Sequence, residues 1–218
     1  MNRVLERGRL DLLCSHLSLV GIDMTLAARL YKVEPIHYMK SYLRIYSMLR
    51  QGLSRLGPAA YSFILIDCPP NFYMVTRNAI IASDHLLVPT RPDYVSTLGI
   101  DELRKHVASL VSDYNNRVNK ANDHHWQPIQ AKDLRVLFTM VTLHSGSPIR
   151  SHESAMQEVK NRGVPTLETL IRDNKSAYAD APGSGIPLVV QPNLSSTSHR
   201  DAQQELKHMV DEVLESLP

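Results

Sequence analysis

The chain contains 218 residues, of which 43% are hydrophobic and 6% aromatic, and it carries a formal net charge of +2. This length and apolar content suit a single domain with a sizeable core, and no apolar run approaches the roughly 18 residues that a membrane span needs. The mild positive charge neither demands nor excludes a nucleic-acid partner. Two cysteines without a secretory leader favour a reduced, cytoplasmic protein.

The first half of the sequence alternates apolar runs with amphipathic segments. Residues 10–15 form a short apolar run that is consistent with a strand, and residues 22–30 are typical of a helix. Apolar residues at spacings of three and four predict one long helix over residues 35–56. The fully apolar run at residues 61–67 predicts a central parallel strand covered on both faces, and residues 73–83 predict the next helix.

The second half continues the same alternation. Residues 84–90 and 134–142 are apolar runs that predict strands. Residues 97–118, 151–163 and 198–217 are amphipathic and predict helices. Two further short runs are ambiguous. Residues 166–173 are consistent with a short strand, and residues 185–192 with a loop or an edge segment.

The regular exchange of strands and helices predicts the fold class. Strands that alternate with helices build a parallel sheet with helices packed on its faces. We therefore expect an α/β protein with a doubly wound, mostly parallel sheet flanked by helices, and a single domain over residues 1–218.

The apolar run at residues 61–67 ends on an acid, Asp67, which is followed by Pro69 and Pro70. An apolar strand that ends in Asp is the Walker-B pattern, in which the carboxylate holds Mg²⁺ against nucleotide phosphates. The two prolines predict a stiff, extended loop after the acid. An ordinary acid at the end of a strand, reaching water, is an equally good interpretation of this run alone.

The residues around Asp67 extend this pattern. Residues 63–103 closely resemble the ParA/MinD family of deviant-Walker ATPases, and the ParA branch in particular. Residues 15–27, 136–142 and 170–190 are similar to further segments of the same family, in the same order. The residues that match the family's central motif are Asp67, Pro69, Pro70, Asn78, Ala79, Ala82, Asp84, Val88 and Pro89.

The resemblance implies a P-loop NTPase fold and a function in plasmid or chromosome partitioning. In the family, ATP and Mg²⁺ drive the formation of a homodimer that binds DNA without sequence preference. A centromere-binding, ParB-like protein then stimulates hydrolysis. The resemblance also implies a bacterial or plasmid-encoded protein that is cytoplasmic and associated with the nucleoid, without a membrane partner.

Several positions take a role from the family, and each also has a plainer interpretation. Asp67 corresponds to the metal-site acid, with Pro69 and Pro70 in the loop beside the nucleotide. Thr139, Met140 and Pro192 lie where the family passes near the adenine, although ordinary strand-end and loop structure is the better interpretation of each. The cations that correspond to DNA-binding positions, or are simply solvated surface charges, are Arg150, Arg172 and Lys175.

The sequence departs from the family at the phosphate-binding loop. That loop is rich in glycine and ends in Gly-Lys-Thr, but none of the nine glycines here is followed by lysine. Only 66 residues precede Asp67, so the chain corresponds to a family member that is incomplete at its N-terminus. We therefore do not expect these residues alone to hydrolyse ATP, and we expect an exposed apolar sheet edge where the first strands are missing.

Two alternative functions remain open. One is a non-enzymatic module that keeps the fold and binds DNA or a partner without nucleotide. The other is a protein similar to the MinD branch, which positions the cell-division site and ends in a basic membrane helix. Four acids in the last predicted helix count against this second alternative: Glu205, Asp211, Glu212 and Glu215.

Overall fold

The structure is a computed structural model that describes residues 10–57, 59–179, 185–194 and 196–217, without the side chains of residues 20, 35 and 36. It contains helices and strands, and within this described part no helix is both long and apolar enough to cross a membrane. In chain order the elements are α1 (Leu19–Tyr31), α2 (Pro35–Tyr46), α3 (Met48–Ser54), α4 (Met74–Ala82), β1 (His85–Thr90), α5 (Tyr94–Ala121), β2 (Asp133–Phe138), β3 (Leu143–His144), β4 (Ser147–Pro148), α6 (Arg150–Asn161), α7 (Lys175–Ala179), a 3₁₀ turn (Leu188–Val190) and α8 (Thr197–Glu215).

The helices predicted from apolar spacing are present, with one correction. The single helix predicted over residues 35–56 is interrupted at Ser47, which separates α2 from α3. The Ser47 side chain is buried, and its hydroxyl donates to the carbonyl oxygen of Leu43 at 2.6 Å. A serine hydroxyl bonded back to the preceding turn competes with the helical ladder, which accounts for the break.

The sheet is smaller than predicted. β1 and β2 are hydrogen-bonded neighbours, and β3 pairs with β4 in a short antiparallel hairpin. On its other side, β2 and the residues after it make parallel bridges to the ambiguous run at residues 166–173, between Val136 and Thr166 and between Val141 and Arg172. Strands predicted at residues 84–90 and 134–142 are thus confirmed, and the run at 166–173 lies alongside the second of them.

Two predicted strands are wrong. Neither residues 10–15 nor residues 61–67 form a strand, and the side chains of Phe63 and Leu65 are 57% and 95% exposed instead of buried. A strand needs a hydrogen-bonding neighbour, and none of the described residues pairs with either run. The apolar run at residues 61–67 is therefore an exposed, irregular segment outside the two sheets, and it is not the apolar sheet edge that the sequence predicts.

The chain forms two compact units. One of them comprises residues 10–86 and 103–133, and its core is built mainly from α2, α4 and the second part of α5. Leu43 and Ile81 are completely buried in this core, and Tyr114 is 1% exposed. Tyr42 stacks on Tyr46 with ring centroids 4.1 Å apart, and the Arg117 guanidinium lies 4.3 Å from the Tyr42 ring centroid.

The other unit includes residues 87–102 and 134 onward. Leu137, Leu167 and Ile171 form a small core against α8, and Ala177, Leu188 and Ala202 form a second cluster beside it. These clusters hold the C-terminal segments on β2. Residues 180–184, which belong to the block that resembles the ParA family, lie outside the described residues.

Acids of α8 bind backbone N–H groups of the chain that runs beside β2. The Glu212 carboxylate accepts hydrogen bonds from the N–H groups of Glu168 at 2.6 Å and Thr169 at 2.9 Å. The Glu205 carboxylate accepts one from the N–H of Arg172 at 3.1 Å. Two of the acids that the sequence places in the last predicted helix therefore anchor that helix to the fold.

Replacing Glu212 with glutamine should lower stability at neutral pH, and less so in acid. Partial burial raises the pKa of this carboxyl, but the hydrogen bonds from Thr169 and Glu168 and the charge of Arg135 outweigh it and lower the pKa below its usual 4.5. A group with a lowered pKa in the folded state stabilises the protein above its unfolded pKa, and that contribution is lost as the pH falls.

The measurement is urea unfolding of wild type and Glu212→Gln at neutral pH and at several lower pH values. We expect the difference in the free energy of unfolding to stay near its neutral value down to about pH 4.5 and to shrink as the pH falls below that value. The exposed neighbour Asp211 provides the control, because Asp211→Asn should show no such trend. A difference that stays constant over this range would contradict the role of the Glu212 charge.

Candidate functional site

The acid loop, residues 67–73, lies between the exposed apolar segment and the start of α4. Asp67, Pro69 and Pro70 are all exposed, and none of the described residues forms a hydrogen bond or an ion pair with the Asp67 carboxylate. The N–H of Asn71 donates to the carbonyl oxygen of Pro69 at 2.7 Å, which closes a tight turn after the prolines. The loop therefore presents a solvent-facing carboxylate beside a constrained turn.

The end of this loop is fixed to α4 by three side chains. The Asn71 side-chain oxygen accepts from the N–H of Tyr73 at 3.0 Å and from the Thr76 hydroxyl at 3.1 Å. The Arg77 Nε donates to the carbonyl oxygen of Phe72 at 2.8 Å. These bonds satisfy groups around the first turn of α4, so the loop has a defined geometry where it enters the helix.

A residue of α1 completes this arrangement. The Asp23 carboxylate accepts a hydrogen bond from the N–H of Val75, in the first turn of α4, at 2.8 Å. A carboxylate at a helix N-terminus satisfies a free N–H group and interacts favourably with the helix dipole. Asp23 thus couples α1 to the same helix end that holds the acid loop.

Replacing Asp23 with alanine should therefore destabilise the fold by about 1–2 kcal/mol, the usual cost of losing an N-terminal cap. Urea unfolding followed by circular dichroism measures this difference. Asp113, which is exposed on α5, is the matched control, and Asp113→Ala should change the free energy of unfolding by less than about 0.5 kcal/mol. Equal effects of the two substitutions would show that the Asp23 cap contributes nothing.

The residues of the acid loop fit a metal ion only in part. Magnesium takes oxygen ligands and keeps several waters, and it reaches a protein through one or two carboxylates and the substrate's phosphates. Asp67 supplies one such carboxylate, but the described residues contain no group of three or more His, Cys, Asp or Glu side chains placed to hold a metal. The sequence also has no Gly-Lys pair to surround a phosphate. The donor set therefore matches one ligand of a magnesium nucleotide, and not a complete nucleotide site.

The residues expected near the adenine belong to the other compact unit. Thr139 is half-buried after β2, and its N–H donates to the carbonyl oxygen of Thr90 at 2.9 Å. Met140 follows with a φ of 55° and a side chain that is 52% exposed. A positive φ is strained for a residue with a Cβ, and such strain occurs often at functional sites. Pro192 is exposed, and the roles of these three residues remain predictions.

The three cations predicted to bind DNA have different environments. The Arg172 side chain is 30% exposed and pairs with both Glu205 and Asp201, the latter at 3.5 Å. Arg150 and Lys175 are exposed, each is the first residue of a helix, and neither forms an ion pair with another described residue. Arg172 therefore lies in an internal ion-pair network, whereas the other two cations face solvent.

The structure brings some of the predicted residues together. Val141, next to Met140, forms a parallel β-bridge with Arg172. The Val141 N–H donates a hydrogen bond to the carbonyl oxygen of Ile171 at 3.0 Å. The strand end after β2 and the cation Arg172 thus lie on adjacent backbone segments. Asp67, Pro69 and Pro70 form a second group in the other unit.

Sequence analysis missed the residues that hold the acid loop in place. Asp23 caps a helix that begins about fifty residues later in the chain, and no local pattern indicates such a partner. The role of Asn71 is easier to predict from the sequence than that of Asp23, because an asparagine just before a predicted helix is typical of a cap or an Asx turn. Arg77 lies within a predicted helix, where its bond to the preceding loop has no signature in the sequence.

Comparison with known proteins supports the family suggested by these residues. A family model described as an AAA domain matches residues 2–120, which is more than half of the chain. The chain belongs to this AAA-domain family. It is also similar to ParA-type partition proteins. The resemblance predicted from the motif around Asp67 is thereby confirmed.

The relatives are bacterial. The chromosome partitioning protein ParA of Myxococcus xanthus is 25% identical over 142 residues, which cover 65% of this chain and 44% of the relative. The sporulation initiation inhibitor protein Soj of Bacillus subtilis is 25% identical over 130 residues, covering 60% of this chain and 45% of that protein. The chain thus spans about half the length of the curated ParA-type relatives that it matches.

A solved structure supports the fold. The chain resembles a variant of McdA from Cyanothece, determined as a complex with ATP, with a TM-score of 0.55 at 17% identity. The match covers 90% of this chain and 63% of the McdA chain. The predicted α/β fold is thereby confirmed as similar to that of the McdA chain.

Proposed function

We propose that this ParA-type chain contributes the acid loop and a DNA-contacting surface to a partition ATPase of plasmids or chromosomes. The observation that carries the proposal is Asp67, an exposed carboxylate without a partner among the described residues, at the start of a loop fixed to α4. Such a carboxylate is available to a magnesium nucleotide without first breaking an ion pair. The similarity to ParA and Soj proteins supports the partition role.

The nucleotide in this proposal is ATP with Mg²⁺, and Asp67 is the residue of this chain that would hold the metal. The McdA relative, which was determined with ATP, supports a nucleotide in this fold. Backbone N–H groups of a glycine-rich loop and its lysine normally supply most contacts to a triphosphate. Because these residues contain no Gly-Lys pair, we propose that they do not bind ATP tightly or hydrolyse it alone.

The DNA-contacting surface in this proposal contains Arg150 and Lys175. Both are exposed cations, and Arg150 begins the 12-residue helix α6, where the helix dipole disfavours a positive charge. A phosphate at this position would interact favourably with both the cation and the helix end. Contacts to phosphates alone give binding without sequence preference.

The remaining parts of the proposal come from the partition proteins that the chain resembles. They are a homodimer that forms with nucleotide, a centromere-binding ParB-like partner that stimulates turnover, and a location at the nucleoid in the bacterial cytoplasm. The bacterial origin of the ParA and Soj relatives supports this location.

Calorimetric titration with Mg-ATP tests the nucleotide part of the proposal. We expect no binding with a micromolar Kd for the 218-residue chain, and no ATPase activity. Asp67→Asn serves as the matched variant, because any weak heat of binding that depends on the metal should disappear in it. Micromolar binding by the chain would overturn the conclusion that it lacks a working phosphate site.

Fluorescence anisotropy with duplexes of unrelated sequence tests the DNA part. We expect equal affinity for each duplex, falling steeply with salt, and a logarithmic salt slope smaller by roughly one unit for each phosphate-contacting cation that is removed. Arg150→Ala and Lys175→Ala should each show this change, and Lys207→Ala, on the face of α8 that pairs with Gln203, should not. Absence of binding at low salt would overturn the assignment of a DNA surface.

A second candidate function is a non-enzymatic module that binds DNA or a partner without nucleotide. The absence of a Gly-Lys pair favours it. The same anisotropy assay distinguishes the two functions, because Mg-ATP should change the DNA affinity of a ParA-type ATPase and leave that of a non-enzymatic module unchanged.

A further inference from the structure

A mostly apolar segment before the acid loop, residues 62–66, is exposed over residues 62–65 and half-buried at Ile66. We call it the open segment. Phe63, Ile64 and Leu65 are 57%, 48% and 95% exposed, so both faces of the run reach solvent. Consecutive apolar side chains with β-branched and aromatic members favour strand pairing. The segment therefore has the composition of a strand and the exposure of a surface loop.

The backbone of the open segment is also unpaired. Among the described residues its N–H groups have no backbone acceptor, and the one hydrogen bond to its carbonyl oxygens comes from the Cys68 thiol, which lies 3.7 Å from the carbonyl oxygen of Ile66. Exposed strand-forming segments with free N–H and C=O groups are templates for pairing with another chain. The segment has room for hydrogen bonds along its length.

Further apolar side chains lie near one end of the open segment. The Tyr61 hydroxyl donates to the Asp11 carboxylate, which places the run that begins at Leu10 beside the start of the segment. Leu13 in that run is 96% exposed. Large exposed apolar side chains are typical of interaction sites when they form one surface. The other strongly exposed leucines of the run are Leu10, Leu12 and Leu17.

We propose that the open segment pairs with the same segment of a second copy of this chain, as two antiparallel strands related by a two-fold axis through Ile64. In this register Ile64 faces its own copy, and Phe63 faces Leu65 of the second copy. A two-fold contact uses the same patch on both chains and closes as a dimer. The pairing satisfies the free backbone groups and covers the exposed side chains of both segments at once.

Charge decides the direction of the strands. No charged residue lies within residues 61–66, so antiparallel pairing about Ile64 places no like charges opposite each other. It sets Asp67 opposite Tyr61 of the second copy. A parallel pair in register would set Asp67 against Asp67, and like charges opposite each other destabilise a strand pair. The sequence around the segment therefore fits a second copy in the antiparallel direction.

Sedimentation equilibrium of the 218-residue chain tests the proposal. Wild type should show a monomer–dimer equilibrium, and Leu65→Lys should raise the dimer Kd at least about tenfold by placing a charge opposite Phe63 on each side of the axis. The control is Val95→Lys, because Val95 is 79% exposed in α5, away from the open segment in sequence, and this variant should leave the Kd unchanged. Both positions are exposed, so each variant should fold, which circular dichroism verifies.

Cysteine cross-linking tests the register in a Cys14→Ser, Cys68→Ser background. A disulfide needs Cα atoms closer than about 7 Å, and only a residue on the two-fold axis meets its own copy at that distance. Ile64→Cys should therefore form a cross-linked dimer under mild oxidation, and Phe63→Cys should not. A chain that stays monomeric at all concentrations, or a dimer that Leu65→Lys leaves intact, would overturn the proposal. Cross-linking at position 63 without cross-linking at position 64 would overturn the register.

Discussion

Replacing Phe138 with alanine should lower the free energy of unfolding by about 3–5 kcal/mol, the usual cost of removing a buried aromatic side chain. Phe138 ends β2 and is 1% exposed. Its carbonyl oxygen accepts a hydrogen bond from the N–H of Ile171 at 3.0 Å, so the residue also belongs to the parallel pairing beside β2. The cavity left by the ring would weaken this strand, which carries the neighbouring bridges.

Phe63 provides the matched control for this prediction, because its side chain has the same chemistry and is 57% exposed. Phe63→Ala should change the free energy of unfolding by less than about 0.5 kcal/mol. Urea unfolding of both variants measures this, at protein concentrations where sedimentation shows only monomer. A large loss of unfolding free energy in Phe63→Ala would contradict the exposure seen in the structure. It would instead indicate the buried strand that the apolar run at residues 61–67 predicts.

Replacing Arg172 with methionine should destabilise the fold by about 1–3 kcal/mol, because it leaves acids of α8 without their cation. The Glu205 side chain is 17% exposed and accepts from the Arg172 guanidinium, and Asp201 lies 3.5 Å from the same group. When one partner of a partly buried ion pair is removed, the desolvation penalty of the remaining charge is no longer compensated. The double variant Arg172→Met with Glu205→Met should recover part of the loss, since it removes both charges together.

The same substitution separates a structural from a DNA-binding role for this residue. Arg150→Met and Lys175→Met should change the free energy of unfolding by less than about 0.5 kcal/mol, because both cations are exposed and unpaired within the described chain. They should lower DNA affinity more than Arg172→Met does at a temperature where all variants are folded. The opposite order of DNA affinities would show that Arg172 leaves its acids to bind phosphate.

The sequence predicted well where structure depends on neighbours along the chain. Apolar spacing of three and four located α5, α6 and α8, because amphipathic helices satisfy their own backbone and expose one stripe for packing. The strands at β1 and β2 were also found from apolar runs. The two prolines predict a stiff, extended loop after Asp67, but the Asn71 N–H closes a tight turn onto the carbonyl oxygen of Pro69 there.

The sequence failed where structure depends on a partner that the local pattern does not name. The apolar run at residues 61–67 has the composition of a central strand, but a strand forms only when another strand supplies hydrogen bonds. In the same way, charge alone could not distinguish Arg172 from Arg150. The difference lies in Glu205, which is more than thirty residues away in sequence and adjacent in space.

Ligand binding at the acid loop should be detectable in α1, because the Val75 N–H that begins α4 is held by the Asp23 carboxylate. An amide bonded this way exchanges its proton with solvent only when that contact opens. The exchange rate of the Val75 amide therefore reports how often the Asp23 carboxylate of α1 separates from the start of α4. A partner that orders the loop around Asp67 should slow this exchange, and a loop that acts independently of α1 should leave it unchanged.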